Sequence, residues 1–387
     1  MTITEEEVVV YHLIQELAKT AVDRDREGGT PLKERNLLRE SGLLKLLIPK
    51  DWGGKGEKWT TILSIVREIA KVDGSLAHLF GYHHLCLAST YLYGTPEQAE
   101  NYFREVAQAP LFWGNAFNPL DQNLLIEKGE NHYIINGHKS FCSGAKNSDR
   151  LLLSAYSASE GKPVFAVIPT QRPGVTINND WDNIGQRQTD SGSLSFSNVV
   201  VYEEEILRAH EQDRTAFPSI RTLLAQTFLT HVLLGITEGA LEEAKKYTKT
   251  STRAWLTSGV EEAIQDPYII HHYGELAIQL HAAKALSEKA ALAVQEAWDK
   301  DRTLTFQERG HYALKVATAK SFVTKTSLEV TSRIFEVMGA RATSAKYGLD
   351  RFWRNVRTHT LHDPVDYKIR DIGNWVLNDK LPEVTPY

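Results

Sequence analysis

The segment from Arg351 to Trp375, RFWRNVRTHTLHDPVDYKIRDIGNW, combines aromatic residues with ionisable side chains that could take part in catalysis. Three arginines, two histidines and an aspartate fall within its first thirteen residues. His359 and His362 are three residues apart, so one helical turn would place both on the same side. Imidazole exchanges protons near neutral pH, so the pair could act as acid and base; two satisfied core histidines are the alternative.

The sequence Asp363-Pro364 predicts the start of the last helix. Aspartate accepts hydrogen bonds from the free N–H groups at a helix N-terminus, and proline fits the first helical position. The negative charge of Asp366 suits the positive end of the helix dipole. We therefore expect Asp363 to cap this helix, and its position beside His362 also makes it a candidate for the reaction centre.

The apolar pattern divides the chain into a helical part, a β-rich part and a second helical part. Apolar residues recur at spacings of three and four from residue 5 to about 107, and again in three long segments from residue 217. Short runs rich in β-branched and aromatic residues predict an antiparallel β-domain from Leu111 to Ile206. The predicted fold class is α+β: an N-terminal helical domain (1–110), a middle antiparallel β-domain (111–210) and a C-terminal four-helix bundle (211–387).

Composition narrows the class of protein. The 387 residues are 42% hydrophobic and 24% charged, and the net charge of −5 argues against nucleic acid or an acidic membrane as a partner. Two cysteines, Cys86 and Cys142, exclude a disulfide framework and a cysteine-rich metal site. The acidic N-terminus is unlike a signal peptide, and no stretch reaches the roughly 20 apolar residues of a membrane span, so we expect a cytoplasmic protein.

A nearly uncharged helix is predicted after Asp73, in the segment DGSLAHLFGYHHLCLASTYLYG. A helix that is apolar on every side is buried. His78 and Tyr82 are four residues apart and share one face, where they would form either a hydrogen-bonded core pair or the wall of a pocket. The chain has no dinucleotide or P-loop glycine pattern, so we expect no nicotinamide cofactor bound in the Rossmann manner.

The order of helices, strands and helices, together with three motifs, resembles the acyl-CoA dehydrogenase superfamily of flavoproteins over nearly the whole chain. GHKSFCSGAKNSDRLL is similar to its flavin-facing β-segment, IGQRQTDSGSLSFSNVVV to its second strand motif, and GITEGALEEAKKYTKTSTRAW to its helix that ends in a flavin-phosphate arginine. The chain also resembles the flavin-dependent monooxygenases of this fold, of the dibenzothiophene monooxygenase type. The motifs that carry this resemblance are RFWRNVRTHTLHDPVDYK, DGSLAHLFGYH, FCSGAKNSD and WDNIGQRQTDSGS.

The resemblance implies a two-component monooxygenase. The enzyme would take reduced FMN, rather than FAD, from a separate NAD(P)H:flavin reductase. It would use O2 through a C(4a)-hydroperoxide to oxygenate a small sulfur-containing or aromatic substrate. The resemblance also implies a homotetramer. The connection NPLDQNL, from Asn118 to Leu124, is shorter than in the dibenzothiophene enzymes, which disfavours a bulky tricyclic substrate.

Roles for individual residues follow from the same resemblance. Catalytic roles fall on His362, Ser143, His78, Asn115, His359 and Asp363, with Ser143 at the flavin N(5) edge and His362 at the leaving oxygen. Flavin contacts are expected from Ser143, Asn115, Arg253, Trp255 and Arg341, the last across a subunit boundary; Asn118 is the alternative to Asn115. Substrate contacts are expected from Tyr82, Trp181 and His359, and no metal ligands are assigned.

Four other functions stay open at this point. Asp363 could replace the catalytic glutamate of acyl-CoA dehydrogenases, although it is one methylene shorter and a misplacement of about 1 Å can cost a hundredfold in rate. His359, His362 and Asp363 could hold a metal together with His78. Ser143 and His362 could form a hydrolase pair, although no nucleophile-elbow glycines surround the serine and the adjacent Asp363 is poorly placed to orient His362. The chain could also bind flavin without catalysis.

Overall fold

The computed structural model describes residues 5–208 and 215–385. Its N-terminal part consists of five α-helices, connected by turns that include two short 3-10 segments: α1 (Glu5–Glu27), α2 (Leu32–Glu40), α3 (Trp59–Ala70), α4 (Gly74–Tyr93) and α5 (Pro96–Gln108). The expected helical character of this part is confirmed. The glycines of the segment DWGGKGEKW, residues 51–59, lie in the connection between α2 and α3.

Helix α4 is the central element of the helical part. Asp73 starts it, because its side chain accepts a hydrogen bond of 2.9 Å from the backbone N–H of Leu76. Every residue of α4 except Tyr91 and Tyr93 is buried, as its nearly uncharged sequence predicts. The helix packs against α3, α5 and α6 and against the first strand of the sheet, so side chains on α4 can reach both the helical bundle and the sheet.

The middle part is an eight-stranded sheet with the strand order β6-β7-β3-β2-β4-β5-β8, in which β1 pairs with β4. Most strand pairs are antiparallel, as expected, but β1 and β2 pair with β4 in parallel. The strands are β1 (Trp113–Ala116), β2 (Leu124–Lys128), β3 (Tyr133–Lys139), β4 (Arg150–Ser157), β5 (Lys162–Pro169), β6 (Val175–Ile177), β7 (Leu194–Val201) and β8 (Ile206–Leu207). The sheet has its own buried core, separate from the core of the helices.

The C-terminal part is a helical bundle built on three long helices: α6 (Ile220–Thr250), α7 (Pro267–Lys300) and α8 (Phe306–Met338). These three pack against one another, and α3 covers α6. The segment Phe217–Thr250 is long and apolar enough to cross a membrane, contrary to the expectation from sequence, but 89% of its most apolar window is buried inside the protein. It is therefore a core helix. The predicted domain boundary after residue 210 lies outside the described residues.

Two shorter helices end the described chain: α9 (Asp350–His359) and α10 (Val365–Asn378). The prediction that Asp363 caps the last helix is wrong. Pro364 occupies the N-cap position without a side-chain cap, and the Asp363 carboxylate is buried against α8 instead. Burial next to a lysine and a histidine gives this carboxylate stronger partners than the exposed N–H groups of a helix end.

Candidate active site

Four elements bring the predicted catalytic side chains together. Helix α4 supplies His78 and Tyr82, and α9 ends at His359. His362 follows in the turn between α9 and α10, and Ser143 lies in the turn between β3 and β4. Direct contacts bring these five residues together in two branches that start from the shared face of α4.

The first branch is centred on His78. Its Nε2 atom lies 3.0 Å from Oγ of Ser143, and its Nδ1 atom lies 3.2 Å from Nε2 of His359. Ser143 in turn lies 2.8 Å from Oγ of Ser191. His78, Ser143 and His359 are each no more than 7% exposed. A buried chain of hydrogen bonds therefore runs from the helical bundle to the sheet.

The direction of this chain follows from counting protons. The Gln186 carbonyl can only accept, so the hydroxyl of Thr189 donates to it at 2.9 Å, and Ser191 donates to Thr189 at 2.8 Å. Ser143 must then donate to Ser191, because each hydroxyl carries one proton. His78 must accordingly donate from Nε2 to Ser143.

Both imidazoles in this branch are neutral. Burial lowers the pKa of His78 to about 3, and burial together with the neighbouring His78 and Lys320 lowers that of His359 well below its usual value. Neutral His78 accepts at Nδ1, so His359 donates from Nε2. The Nδ1 atom of His359 is left as a buried acceptor without a partner among the described residues. The branch therefore ends at the lone pair of His359 Nδ1. In its middle, the Ser143 hydroxyl can still accept a hydrogen bond.

The second branch starts at Tyr82. Its hydroxyl lies 3.2 Å from Nε2 of His362, and Nδ1 of His362 lies 3.3 Å from Oδ1 of Asp363. The expectation that Asp363 is poorly placed to orient His362 is therefore wrong: the turn after α9 folds the carboxylate back onto the neighbouring ring. Burial tends to raise the pKa of Asp363, but the hydrogen bond from His362 and the charge of Lys320 outweigh this and hold the pKa well below its usual value.

Asn115 on β1 lies beside Ser143, because its backbone N–H donates to the Ser143 carbonyl at 3.0 Å. Asn115 is 8% exposed, and within the part of the chain that the structure describes its Oδ1 atom has no hydrogen-bond partner. A buried amide oxygen without a partner costs free energy unless a ligand or water satisfies it. Asn118, the alternative, lies in the following turn, where its carbonyl accepts from Lys139 at 2.6 Å. The orphaned atom of Asn115 makes it the better candidate for a ligand contact.

The turn that carries Ser143 is held from the helical side. Arg35 on α2 is fully buried and donates to the carbonyls of Gly144 and Lys146. Gly144 has a φ of +67°, and a side chain there would come within 2.9 Å of Leu79 on α4. The left-handed glycine therefore lets the turn approach α4 closely enough for Ser143 to reach His78.

Trp181 lies at the sheet side of the site and is half-buried. Its Nε1–H donates to the carbonyl of Gln186 at 2.9 Å, and its ring meets the exposed Phe141 edge to face at 6.2 Å. Gln186 is therefore shared by Trp181 and the Thr189 end of the first branch. The loop that contains Gln186 therefore positions both Trp181, a predicted substrate contact, and Ser143.

The other predicted flavin contacts lie elsewhere. Arg253 and Trp255 are exposed and line an open groove of about 580 Å³ formed by residues 248–264. The exposed Arg341 lies at the same end of the bundle, since Thr252 donates to the carbonyl of Met338 at 3.1 Å. The active-site end of α6 is marked by Phe228, whose ring centroid is 6.1 Å from that of His78. From Phe228 to Thr250 the helix rises roughly 33 Å.

The candidate residues of one chain therefore lie in two separate regions, the His78 cluster and the groove lined by Arg253. That separation exceeds the length of one FMN molecule, so a flavin at Ser143 and the Arg253 of the same chain would not touch. The sequence did not show this division. It arises because α6 runs without a break from the active-site region to the groove.

Sequence reasoning missed four residues that hold the cluster: Gln186, Thr189, Ser191 and Lys320. The first three belong to the motif IGQRQTDSGS, whose similarity to the superfamily was noted without singling them out. The sequence does carry a signal for Lys320. This residue falls on the same stripe of α8 as the buried Val316, Val323 and Ser327, where a lysine is out of place unless it has a buried partner.

The contacts weigh against two of the alternative functions. Ser143 bonds to His78 and Ser191, whereas His362 bonds to Tyr82 and Asp363, so the proposed hydrolase pair is not formed. Among the described residues, no group of three or more histidine, cysteine, aspartate or glutamate side chains is arranged to hold a metal ion. The cluster instead offers neutral imidazoles, hydroxyls and one buried carboxylate.

Three domain models of acyl-CoA dehydrogenases match the chain in order: the N-terminal domain at residues 7–109, the middle domain at 117–199 and the C-terminal domain at 228–367. These matches span most of the sequence and agree with the helical, sheet and helical parts of the structure. The chain belongs to the acyl-CoA dehydrogenase family.

Within this family the chain is similar to flavin-dependent monooxygenases. It is 46% identical over 380 residues to the probable FMNH2-dependent monooxygenase SfnC of Pseudomonas putida, covering 98% of this chain and 96% of that protein. The methanesulfinate monooxygenase MsuC of Pseudomonas fluorescens superposes with a TM-score of 0.96 at 48% identity over 99% of both chains. The dibenzothiophene monooxygenase TdsC of Paenibacillus sp. A11-2, in complex with FMN and indole, gives 0.94 at 45% identity, again over 99% of both. The predicted resemblance is confirmed.

Proposed function

We propose that this protein is the oxygenase component of a two-component FMNH2-dependent monooxygenase acting on a small sulfur-containing substrate. The observation that carries the proposal is the neutral His359–His78–Ser143 branch beside the orphaned Asn115 oxygen, in a chain similar over almost its whole length to enzymes of this kind. Reduced FMN, when bound, supplies the electrons that activate O2, so that one oxygen atom enters the substrate and the other leaves as water.

The residues present fit such a flavin. Ser143 has committed its proton to Ser191, so it offers the ligand only an acceptor. An acceptor suits the N(5)–H group of reduced flavin and not the bare N(5) atom of the oxidised form. The orphaned Oδ1 of Asn115 is a second buried acceptor next to it. Ser143 and Asn115 would therefore hold the reduced ring by its N–H groups.

His362 would handle protons on the substrate side. It is the more accessible of the two terminal histidines, with 28% of its side chain exposed, whereas His359 is 4% exposed. Asp363 accepts from Nδ1, which leaves Nε2 directed at Tyr82. A histidine oriented by a carboxylate in this way can accept or donate a proton at Nε2. Tyr82, Trp181 and His359 would border the substrate.

The flavin phosphate would be bound by Arg253, with Trp255 and Arg341 nearby, in the groove at the far end of α6. A planar guanidinium forms paired hydrogen bonds with phosphate oxygens. Since this groove lies roughly 33 Å along α6 from the His78 cluster, the groove of one subunit would serve the flavin of another. The proposed assembly is a homotetramer in the cytoplasm, supplied by a separate NAD(P)H:flavin reductase.

A small alkanesulfinate or alkyl sulfone is the preferred substrate class. The similarity to methanesulfinate monooxygenase favours a small sulfur compound. The turn from Asn118 to Asn123 is tied down by Lys139, which is 1% exposed and donates to the carbonyls of Asn118 and Asp121. The resemblance implies that this turn is shorter than in the dibenzothiophene enzymes, which agrees with a small substrate.

The acyl-CoA dehydrogenase alternative has less support. Its base would be Asp363, but one oxygen of that carboxylate is shared by His362 and Lys320, and the side chain is 5% exposed. A carboxylate held in this way is a weak base for abstracting a proton from carbon.

The test is turnover with chemically reduced FMN and 18O2, using methanesulfinate, an alkyl sulfone, dibenzothiophene and indole in parallel. We expect one labelled oxygen atom in the sulfonate formed from methanesulfinate, or in the carbon-oxygenated product of the alkyl sulfone, and little product from dibenzothiophene. Peroxide as the sole product with every compound, combined with flavin reduction by an acyl-CoA under anaerobic conditions, would reject the proposal in favour of dehydrogenation.

A further inference from the structure

Lys320 is a buried charge that the proposed reaction does not explain. Its side chain is 1% exposed in the middle of α8, and its Nζ atom has no hydrogen-bond partner among the described residues. Its nearest anion is Asp363, with Nζ 3.9 Å from Oδ1. Burying an ammonium is costly unless an opposite charge compensates it, so this pair serves a purpose other than simple stability.

The position of Lys320 links it to the second branch of the site. The Oδ1 atom of Asp363 that faces Lys320 also lies 3.3 Å from Nδ1 of His362, and Nε2 of His362 lies 3.2 Å from the Tyr82 hydroxyl. One carboxylate oxygen therefore lies between the ammonium and the imidazole. Four side chains form a line that crosses from α8, through the turn after α9, to α4.

The charged and titratable groups around Asp363 come from every element packed against it. Lys320 faces it from α8, Lys368 from α10 and His362 from the turn itself. His359 at the end of α9 is influenced by Lys320 and His362, which places it at the edge of the same group. Lys320 is the most deeply buried of the cations: burial lowers the pKa of its amine, and the charge of Asp363 opposes that shift and favours the ammonium.

We propose that Lys320 is a positioning residue: its buried ammonium keeps Asp363 a carboxylate, and this carboxylate holds the proton of His362 on Nδ1 so that Nε2 faces Tyr82. The proposal deepens the proposed function and rests on it for the role of His362. Without Lys320, the buried carboxylate would bind a proton more readily. A neutral acid could donate to Nδ1 and reverse the tautomer, which would fix the proton of the neutral imidazole on Nε2, the atom that faces Tyr82.

The first test measures stability and does not depend on turnover. Lys320→Met removes the charge at similar length, and Lys325→Met is the control, since Lys325 is exposed on the same helix. At pH 7 the first variant buries an uncompensated carboxylate, so its Tm should fall by several degrees relative to the control. Without the ammonium, the buried Asp363 carboxylate binds a proton more readily as the pH falls toward 5, so the difference in Tm should narrow. Adding Asp363→Asn should remove this pH dependence.

The second test measures coupling, the fraction of consumed FMNH2 that yields product and not peroxide. We expect the acid side of the coupling profile to move up by at least one pH unit in Lys320→Met but not in Lys325→Met. Adding Lys320→Met to Asp363→Asn should change the profile no further. If Lys320→Met does not fold, this comparison on the Asp363→Asn background still tests the linkage.

The outcomes separate the two proposals. A Tm difference that is the same at pH 5 and pH 7, or effects of Lys320→Met and Asp363→Asn that simply add, would overturn the role of Lys320. Absence of oxygenated product from the unchanged protein would reject the monooxygenase, yet the stability cycle would still report whether Lys320 acts through Asp363.

Discussion

The Nε2 atom of His78 lies 3.0 Å from Oγ of Ser143, and this contact joins the buried helix α4 to the turn between β3 and β4. Because the hydroxyl chain from Ser143 ends on the Gln186 carbonyl, His78 is the donor in this contact and Ser143 is left without a free proton. The direction of a few hydrogen bonds thus decides what kind of ligand atom Ser143 can bind. That dependence can be tested at Ser191, away from the ligand itself.

Replacing Ser191 by alanine should increase affinity for oxidised FMN. The Ser143 hydroxyl, released from Ser191, could then donate to the bare N(5) atom, a gain of about 1 kcal/mol or severalfold in Kd. Affinity for reduced FMN should stay constant or weaken slightly. Flavin fluorescence titration measures the oxidised form, and an anaerobic titration measures the reduced form. Equal changes for both redox states would show that Ser143 does not face N(5).

Replacing His362 by alanine should leave FMN binding nearly unchanged but divert the reaction to peroxide. Loss of a positioned acid or base commonly costs a hundredfold or more, so product per FMNH2 should drop by about that factor. His138→Ala, at an exposed position on β3, is the control. Product and peroxide are measured together over a single turnover. An unchanged product yield in His362→Ala would remove this residue from the mechanism.

Arg253→Ala should weaken FMN binding by about ten- to a hundredfold, the usual range for losing a charge-assisted hydrogen bond. Arg104→Ala, on the surface of α5, should not. A sharper test mixes subunits. If one subunit supplies Arg253 to the flavin held by Ser143 of another, co-expressed Ser143→Ala and Arg253→Ala chains should recover activity that neither has alone. If the mixed assemblies recover no activity, Arg253 of one subunit does not complete the flavin site that Ser143 of another subunit forms.

Much of the fold was predictable because its signals are local. The uncharged sequence of α4 and the change in apolar spacing each depend on neighbouring residues, and the elements that they predict were confirmed. The pairing of β1 and β2 with β4 in parallel was not predicted, because strand order depends on contacts between distant segments.

Several members of the cluster could be named from the sequence, but their connections could not. His78, Ser143 and His359 are far apart in sequence, and the motifs indicated that they meet without indicating which atoms bond. Asp363 shows the limit most clearly. Its sequence context predicts a helix cap, yet a lysine 43 positions upstream on α8 draws the carboxylate into the core, and local propensity carries no information about that partner.

Stability should fall as pH drops below about 6.5, because buried histidines stay neutral in the folded protein. Burial lowers the pKa of His231 to about 4, so between these values the unfolded chain binds a proton that the folded chain does not. Each such histidine reduces stability by at most about 1.4 kcal/mol per pH unit. His231→Gln should reduce the slope of the unfolding free energy against pH by up to about 1.4 kcal/mol per pH unit, the contribution of one proton. The exposed His281→Gln should leave the slope unchanged. Urea titrations from pH 7.5 to 5 measure both.

Gly185→Ala should disrupt the loop that positions the first branch. A side chain at Gly185 would lie 2.0 Å from the carbonyl oxygen of Arg354, so the loop would have to move away from α9. That movement would break the 2.6 Å hydrogen bond from the Gln186 N–H to Asn355, and with it the anchor of Trp181 and Thr189. We expect a loss of roughly 2 kcal/mol or more in stability, the cost of overpacking, together with increased peroxide release.

The control for this substitution is Gly274→Ala on α7. A side chain there meets nothing within 4 Å, and alanine is favoured over glycine in a helix by up to about 1 kcal/mol. This variant should match or exceed the parent in Tm and keep its coupling. If Gly185→Ala lowered Tm but left coupling intact, the loop would stabilise the fold without ordering Ser143. If the coupling fell while Tm stayed unchanged, the contact between Gly185 and α9 would be required for the reaction but not for the stability of the fold.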